Sequence, residues 1–266
     1  KKIDKIIKYV QPSTIIHLAS LSTVNEKIKK KDYFLNNVIA TKNIIKVMKK
    51  NDIKNIIYSS TAAVYQKKNL RITENSKLKP ISKYGQTKLK SEELIKSSKL
   101  NFIIFRFFNV TSAITQPMTG EFHNPETHLV PTLINNLFKN KVSEIFGKDY
   151  LTKDGTCIRD YIHVMDLAEA HLLALDRLSQ TQLSDVYNVG NNEGFSVREI
   201  IEVAKKITNQ KMVIEIQSRR KGDPAELIAD NQKIKSELNW KAKHSDLDKI
   251  ISSAWQWEQK LLTFNQ

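Results

Sequence analysis

Glycine is scarce in this chain of 266 residues: there are 7, and the first is Gly85. No G-x-G-x-x-G or G-x-x-G-x-x-G phosphate loop therefore stands anywhere in it. Cysteine is scarcer, with Cys157 alone, so an internal disulfide framework is excluded and a reducing, cytoplasmic setting is expected. No stretch approaches the roughly 18 apolar residues of a membrane span, and no apolar segment follows the basic N-terminal residues. No membrane association is expected. Arginine is rare too: the net charge of +15 comes from 36 Lys but only 7 Arg. The lysines are scattered singly or in short runs such as Lys29-Lys30-Lys31 and Lys67-Lys68, without interleaved aromatic residues. Arginine is the preferred reader of bases and phosphates, so a nucleic-acid partner is not expected. The sequence opens on Lys1 rather than Met. Together with the missing glycine loop, this leads to the expectation of a C-terminal portion of a longer protein, poorly folded and inactive alone.

The apolar pattern alternates between two periods. Ile6, Ile7 and Val10 mark the tail of an amphipathic helix that Pro12 ends, and Thr14-Ile-Ile-His-Leu-Ala19 is a strand. Helical spacing covers 32–50, Asn55-Ile-Ile-Tyr58 is the next strand, 83–98 a helix, and Asn101-Phe-Ile-Ile-Phe105 a third strand. Strand–helix–strand–helix–strand predicts parallel crossovers, with ligands at the carboxyl ends of the strands. In the second half, Asp166-x-x-Glu169 and Ser196-x-x-Glu199 predict capping boxes opening helices over 167–178 and 197–208. Residues 212–216 read as a strand, and 246–260 as a final helix carrying Trp255 and Trp257 in a core.

Tyr84-Gly-Gln-Thr-Lys88 carries chemistry. Of the 8 Tyr, Tyr84 is the only one with Lys four residues on, which places both on one helix face. An ammonium at that distance favours the phenolate and draws the phenol from about 10 towards neutrality. A hydroxyl from a strand end such as Ser59-Ser60-Thr61 can bond the same substrate oxygen, giving a proton-transfer device for an alcohol. The pair by itself also reads as an ordinary helix-surface contact.

Its neighbours settle that reading. Ile16-His-Leu-Ala-Ser20, Asn36-Asn37, Tyr58-Ser-Ser-Thr-Ala-Ala-Val-Tyr65, Tyr84-Gly-Gln-Thr-Lys88 and Arg106-Phe-Phe-Asn109 follow in order. So do His123-Asn-Pro-Glu-Thr-His-Leu-Val-Pro131, the run Asp154–Ala168, Tyr187-Asn-Val-Gly190 and Arg219-Arg-Lys-Gly-Asp223. On these motifs the chain resembles the extended short-chain dehydrogenase/reductase family, in its nucleotide-sugar epimerase branch, over nearly all its length. The resemblance implies an α/β fold: a Rossmann-type parallel sheet lacking its glycine-rich N-terminal segment, with a smaller interleaved substrate-binding domain. Residues 1–110 would be the remainder of the NAD-binding domain. Residues 111–266 would mainly hold the nucleotide sugar, with about 155–190 returning to the first domain.

The implied activity is NAD-dependent 4-epimerisation of UDP-hexoses, UDP-glucose and UDP-galactose, through a transient 4-keto sugar. Tyr84, Lys88 and Thr61 are then the catalytic residues, and Ala19, Asn37, Ser59, Tyr84 and Lys88 the cofactor-binding ones. Thr61, Asn109, His128, Leu129, Phe146, Arg159, Arg220 and Asp223 would bind substrate. Ser112 stands where the resemblance puts glycine. A homodimer pairing through the helices at 37–50 and 82–98 is implied. A sibling 4,6-dehydratase or decarboxylase, and a non-catalytic nucleotide-binding remnant, remain alternatives; Ala62-Ala63 after Thr61 argues against a dehydratase. Arg159-Asp160 also reads as a plain ion pair. No metal is expected: His163, Asp166 and His171 straddle a helix start without ligand spacing and read as capping and packing groups.

Overall fold

The computed structural model describes residues 2–22, 28–66, 71–116, 118–123, 125–181, 183–220 and 223–264. The basic pair Lys67-Lys68 and the Lys221-Gly222 step of the last motif lie outside the described residues.

A parallel sheet of four strands organises the first half. Its order is Thr14–His17, Asn55–Thr61, Asn101–Phe107 and Asp185–Val189, with Tyr58 opposite both His17 and Ile104. The two middle strands are buried on both faces, which is why they read as continuous apolar runs rather than alternating ones. One face packs Ile57, Ile103 and Phe105 on Ala170, Ala174 and Leu178 of the helix Val164–Thr181, with Trp240 beneath. The other packs Ile56, Tyr58 and Ile104 on Ile45, Met48 and Ile95. A fully buried isoleucine in such a layer contributes about 1.5–3 kcal/mol.

The helical spacing over 32–50 is realised as one continuous run with a change of pitch. Lys30–Tyr33 is α-helical, Phe34–Ile39 is a π-helix, and Ala40–Lys50 is α-helical again. The wider turn brings Asn37 and Val38 inward, to 1% and 3% exposure. The Tyr84 helix spans Lys83–Lys96.

A second sheet interleaves the two halves of the sequence. Its order is Gly194–Ser196, Ile158–His163, Glu226–Ala229 and Arg71–Ile72, and Asn109–Thr111 also pairs with Ile158–His163. Ser143–Phe146 and Ile214–Gln217 form a parallel pair, two residues short of the expected start at Met212. A third core gathers Ile134, Ile200, Ile201, Ile250 and Ile251; the final helix Leu247–Phe264 stacks Trp255 flat on Phe138, 4.2 Å between ring centres. Among the described residues no helix is long and apolar enough to cross a membrane.

The two expected capping boxes fare differently. Ser196 and Glu199 form theirs in full around the helix Val197–Thr208. Asp166 does not: its helix starts earlier, at Val164, and its fully buried carboxylate instead accepts from the Lys243 and His244 backbone N–H groups and the Ser245 hydroxyl. A buried carboxylate needs several donors, and the segment 243–245 supplies them where a first-turn cap would supply one or two.

Candidate active site

Gly85 explains how the Tyr84 helix approaches the strand end. A Cβ there would sit 2.4 Å from the Ala63 carbonyl oxygen, so only glycine lets helix and strand close up. Ser82 caps the helix by accepting from the Gly85 N–H at 3.0 Å. Thr87 and Ser91 then fasten it to the π-helical turn: the Asn37 amide donates to the Thr87 hydroxyl at 3.0 Å, and the Ser91 hydroxyl donates to the Asn37 carbonyl at 3.1 Å. Asn37 also accepts from the Leu21 N–H at 2.7 Å, tying down the chain beyond the first strand, where Ala19 is exposed. Asn37 thus positions the loop expected beside the cofactor.

Tyr84, Lys88 and Thr61 come together at the carboxyl end of Asn55–Thr61. The Thr61 side chain lies close enough to act on the Tyr84 phenol, which is half-buried. Lys88 is 1% exposed; its ammonium donates to the Ser59 carbonyl at 2.5 Å and lies 4.7 Å from the Tyr58 ring centre and 6.0 Å from that of Tyr84. Burial lowers the Lys88 pKa to about 7, with the Glu92 carboxylate pulling the other way. Burial also raises the Tyr84 phenol to about 12 against the opposing pull of Thr61. The expected drawing-down of Tyr84 by Lys88 is therefore not what this arrangement holds. Desolvation dominates the phenol, and the neighbouring lysine is itself only half-charged near neutrality. His17, driven down to about 4 by burial and then by Lys88, stays neutral beside them and hydrogen-bonds Thr41 at 3.0 Å.

A buried charge network underlies this cluster, and the sequence reading assigned it no role. Arg106 donates to both Glu92 oxygens, at 3.0 and 2.7 Å, and to the Tyr65 hydroxyl at 2.9 Å; Tyr65 donates on to Asn188 at 2.6 Å. Ser60, next to Thr61, donates to Glu92 at 2.5 Å. Burial opposes the Arg106 charge, but Glu92 and Tyr65 outweigh it and raise the guanidinium. The available signal was Lys88-x-x-x-Glu92, a second four-residue step along the same helix face.

The residues expected at the substrate are placed differently. Arg159 pairs with Asp223 (Nη2–Oδ1 2.8 Å) and donates to the Pro224 carbonyl at 2.9 Å. Its sequence neighbour Asp160 is not its partner: that carboxylate is fully buried and accepts from the backbone N–H groups of Asn191, Asn192 and Ala229, while burial raises its pKa to about 7. The plain ion-pair reading fails because successive strand residues point to opposite faces. Arg220 lies flat on the Phe146 ring at 3.9 Å, an exposed cation–π pair, while Arg219 pairs with Asp149 at 2.6 Å. Asn109 donates to the Asp160 carbonyl at 2.9 Å. His128 is exposed and stands at the N-cap position immediately before Leu129, the first residue of the helix Leu129–Phe138. Ser112, expected where glycine is common, has φ of +93°, a strained value for a residue with a side chain.

Residues 1–190 match the NAD dependent epimerase/dehydratase family. The chain is 43% identical to the UDP-glucose 4-epimerase of Streptococcus mutans, over 91% of this chain and 75% of that protein. It is 40% identical to the UDP-glucose 4-epimerase of Halalkalibacterium halodurans, over 97% and 79%. Among solved structures, that of UDP-glucose 4-epimerase from Bifidobacterium longum in complex with NAD+ and UDP superposes with a TM-score of 0.88 at 33% identity, covering 97% of this chain and 79% of that one. The strand-end hydroxyl, the Tyr84–Lys88 step and these likenesses agree, and the chain belongs to the NAD dependent epimerase/dehydratase family.

Proposed function

We propose that this chain interconverts UDP-glucose and UDP-galactose by inverting C4 of the hexose with NAD. The observation that carries the reading is the Tyr84 phenol near the Thr61 hydroxyl at the strand end, one helical turn from the buried Lys88. The donor set fits a nicotinamide nucleotide. An ammonium has three N–H donors and Ser59 takes one, which suits the remainder to ribose hydroxyls. NAD+, when bound, supplies the acceptor that takes the hydride from C4 and returns it, and it brings a positive charge to the site.

The chain's own residues manage the proton and the placement. Tyr84 Oη, once ionised to the phenolate by the positive charges of Lys88 and the bound cofactor, takes the proton of the 4-hydroxyl as the C–H bond breaks and the C=O bond forms, then gives it back to the oxygen of the 4-keto sugar. Thr61 holds that oxygen by a second hydrogen bond, and Lys88, when protonated, favours the phenolate. Arg159 and Arg220 suit a diphosphate, Phe146 a uracil face and Asp223 ribose hydroxyls. Asn109, His128 and Leu129 complete the substrate side, and Asn37, Ser59 and Ala19 the cofactor side. Inversion requires the keto sugar to present its other face, so nucleotide anchors remote from C4 are what the reaction needs.

The protein is further taken to act as a homodimer through the helices around 37–50 and 82–98; Phe34, Leu35 and Ile81 leave large apolar side chains exposed nearby. Light scattering would give twice the chain mass. The decisive experiment for the activity is NAD released on denaturing the purified protein, run beside a UDP-galactose to UDP-glucose assay. Cofactor release with turnover supports the reading. UDP binding without any NAD-dependent chemistry would replace it by a nucleotide-binding remnant.

A further inference from the structure

Two glutamates and two histidines meet on the loop between the hairpin strand Met118–Gly120 and the helix Leu129–Phe138, at Glu121, His123, Glu126 and His128. One potential ligand atom from each lies within 4.8 Å of every other. A tetrahedral shell with bonds of about 2.0–2.2 Å has ligand atoms roughly 3.3–3.6 Å apart, so the four side chains need to close by about 1 Å to grip an ion. Both imidazoles turn Nδ1 towards the carboxylates. His123 Nδ1 is 3.0 Å from Glu121 and 3.5 Å from Glu126; His128 Nδ1 is 3.8 Å from Glu126 and in close contact with Glu121. The two rings stand edge to face, 5.1 Å apart, so their nitrogens converge from different directions.

We propose that Glu121, His123, Glu126 and His128 form a binding site for a first-row divalent transition-metal ion, with Zn2+ as the ion whose four-coordinate preference this set matches. Two imidazoles and two carboxylates are borderline-to-hard donors. They suit Zn2+, Co2+ or Ni2+ better than Ca2+ or Mg2+, which take oxygen ligands throughout. The spacing E-x-H-x-x-E-x-H also lets one short loop supply all four.

Two further observations point to a cation. The loop is braced from behind, as ligands are when a second layer orients them. One Glu126 oxygen accepts from the Thr127 and His128 N–H groups, at 2.7 and 2.8 Å. The Trp257 indole donates to the Glu121 carbonyl at 2.7 Å, and Gly120 packs so tightly on that ring that a Cβ would come within 2.6 Å of it. The placement of carboxylates points the same way: buried Glu258, which accepts from the Asn135 amide at 3.1 Å, stands on the final helix that carries Trp257 against this loop. A divalent ion would neutralise this local excess. It would also fasten the start of the helix Leu129–Phe138 at the rim of a cavity of about 390 Å³ that reaches Thr111, Ser112 and Val164. The site stands on its own geometry and holds whether or not the protein is an epimerase.

The test uses tag-free protein stripped with a chelator, dialysed against Zn2+ and analysed for bound metal, with Co2+ as a spectroscopic substitute. The expected result is about one ion per chain and the intense visible bands of four-coordinate Co2+. His123→Ala and Glu126→Gln should each weaken binding at least about tenfold and remove those bands, because loss of a ligand exceeds the loss of an outer partner. Glu126→Gln keeps an oxygen for the two backbone N–H groups, so it carries the comparison even if His123→Ala lowers the metal-free melting temperature. Absence of stoichiometric binding by the unaltered protein, or binding undiminished in both variants, would overturn the proposal.

Discussion

Arg106 and Arg159 are each bonded to a carboxylate, yet the two pairs live in different surroundings. The Arg106 and Glu92 side chains are 2% and 0% exposed, and Ser60, Tyr65 and Asn188 extend the pair into a closed network. The Arg159 and Asp223 side chains are 12% and 24% exposed, and nearby Arg220 lies on Phe146 at the open surface. The first region is fixed from many sides and sets the angle at which Tyr84 and Thr61 meet. In the second, Arg159 is held by Asp223 and by the Ile158 and Pro224 carbonyls in a less buried setting. On the proposed function, a site that keeps one atom still while a sugar turns over needs this division: rigidity where the proton moves, exchangeable partners where the nucleotide is gripped.

The sharpest way to break the comparison is to remove one atom from the rigid side. Tyr84→Phe deletes the phenol oxygen and leaves the ring. UDP-galactose turnover should fall about 10²–10⁴-fold, the usual contribution of a positioned acid–base group. Because Tyr84 is only half-buried, the melting temperature should barely move. A variant that keeps wild-type kcat would show that proton transfer lies elsewhere.

The network beneath should respond in the opposite sense, in stability first. Glu92→Leu leaves the Arg106 guanidinium buried without its carboxylate, which costs about 3–5 kcal/mol. Adding Arg106→Met should recover much of that loss, since a well-packed apolar pair replaces the charges. Denaturant unfolding of the two variants reads this directly. Equal stabilities for the single and double variants would mean that the pair is not the element that braces the strand.

On the exchangeable side the effect should be smaller and of another kind. Arg220→Ala removes a surface guanidinium that we propose bonds a phosphate, and a charge-assisted bond of that kind is worth about 1.5–3 kcal/mol. KM for the UDP-sugar should rise about tenfold or more while kcat and melting temperature stay near wild type. A fall in kcat with KM unchanged would move Arg220 from nucleotide binding to the reaction itself.

The same division decided what could be read from the sequence. The parallel strands were legible because burial on both faces writes itself as apolar runs such as Asn55-Ile-Ile-Tyr58, and Tyr84–Lys88 because four residues make one turn. The π-helical turn at Phe34–Ile39 left no such trace, since its wider pitch answers to what Asn37 must reach across the fold. Glu92 and Arg106 escaped assignment for a related reason: each looks like an ordinary surface charge until the fold buries both. Asp166 misled because its donors sit nearly eighty residues away at 243–245, while the local spacing to Glu169 imitates a cap. The loop 121–128 carried its ligand-like spacing openly, yet only the fold turns four side chains to one point.

Lys88 offers the most discriminating effect, because it belongs to the rigid region but carries an ionisation the region disfavours. Burial lowers its pKa from 10.5 to about 7, so between those values the folded chain holds fewer protons than the unfolded one. Stability from this group is therefore fully present above pH 10.5 and is lost as pH falls through about 7. Lys88→Met removes the ionisation and keeps most of the apolar stem. The difference in unfolding free energy, wild type minus variant, should rise with pH from 7 towards 10.5 and flatten below 7, as measured by denaturant titration of both proteins across that range. A difference that stays level would mean that Lys88 keeps its ordinary pKa in the fold, with the Ser59 carbonyl and the Tyr58 ring offsetting its desolvation in full.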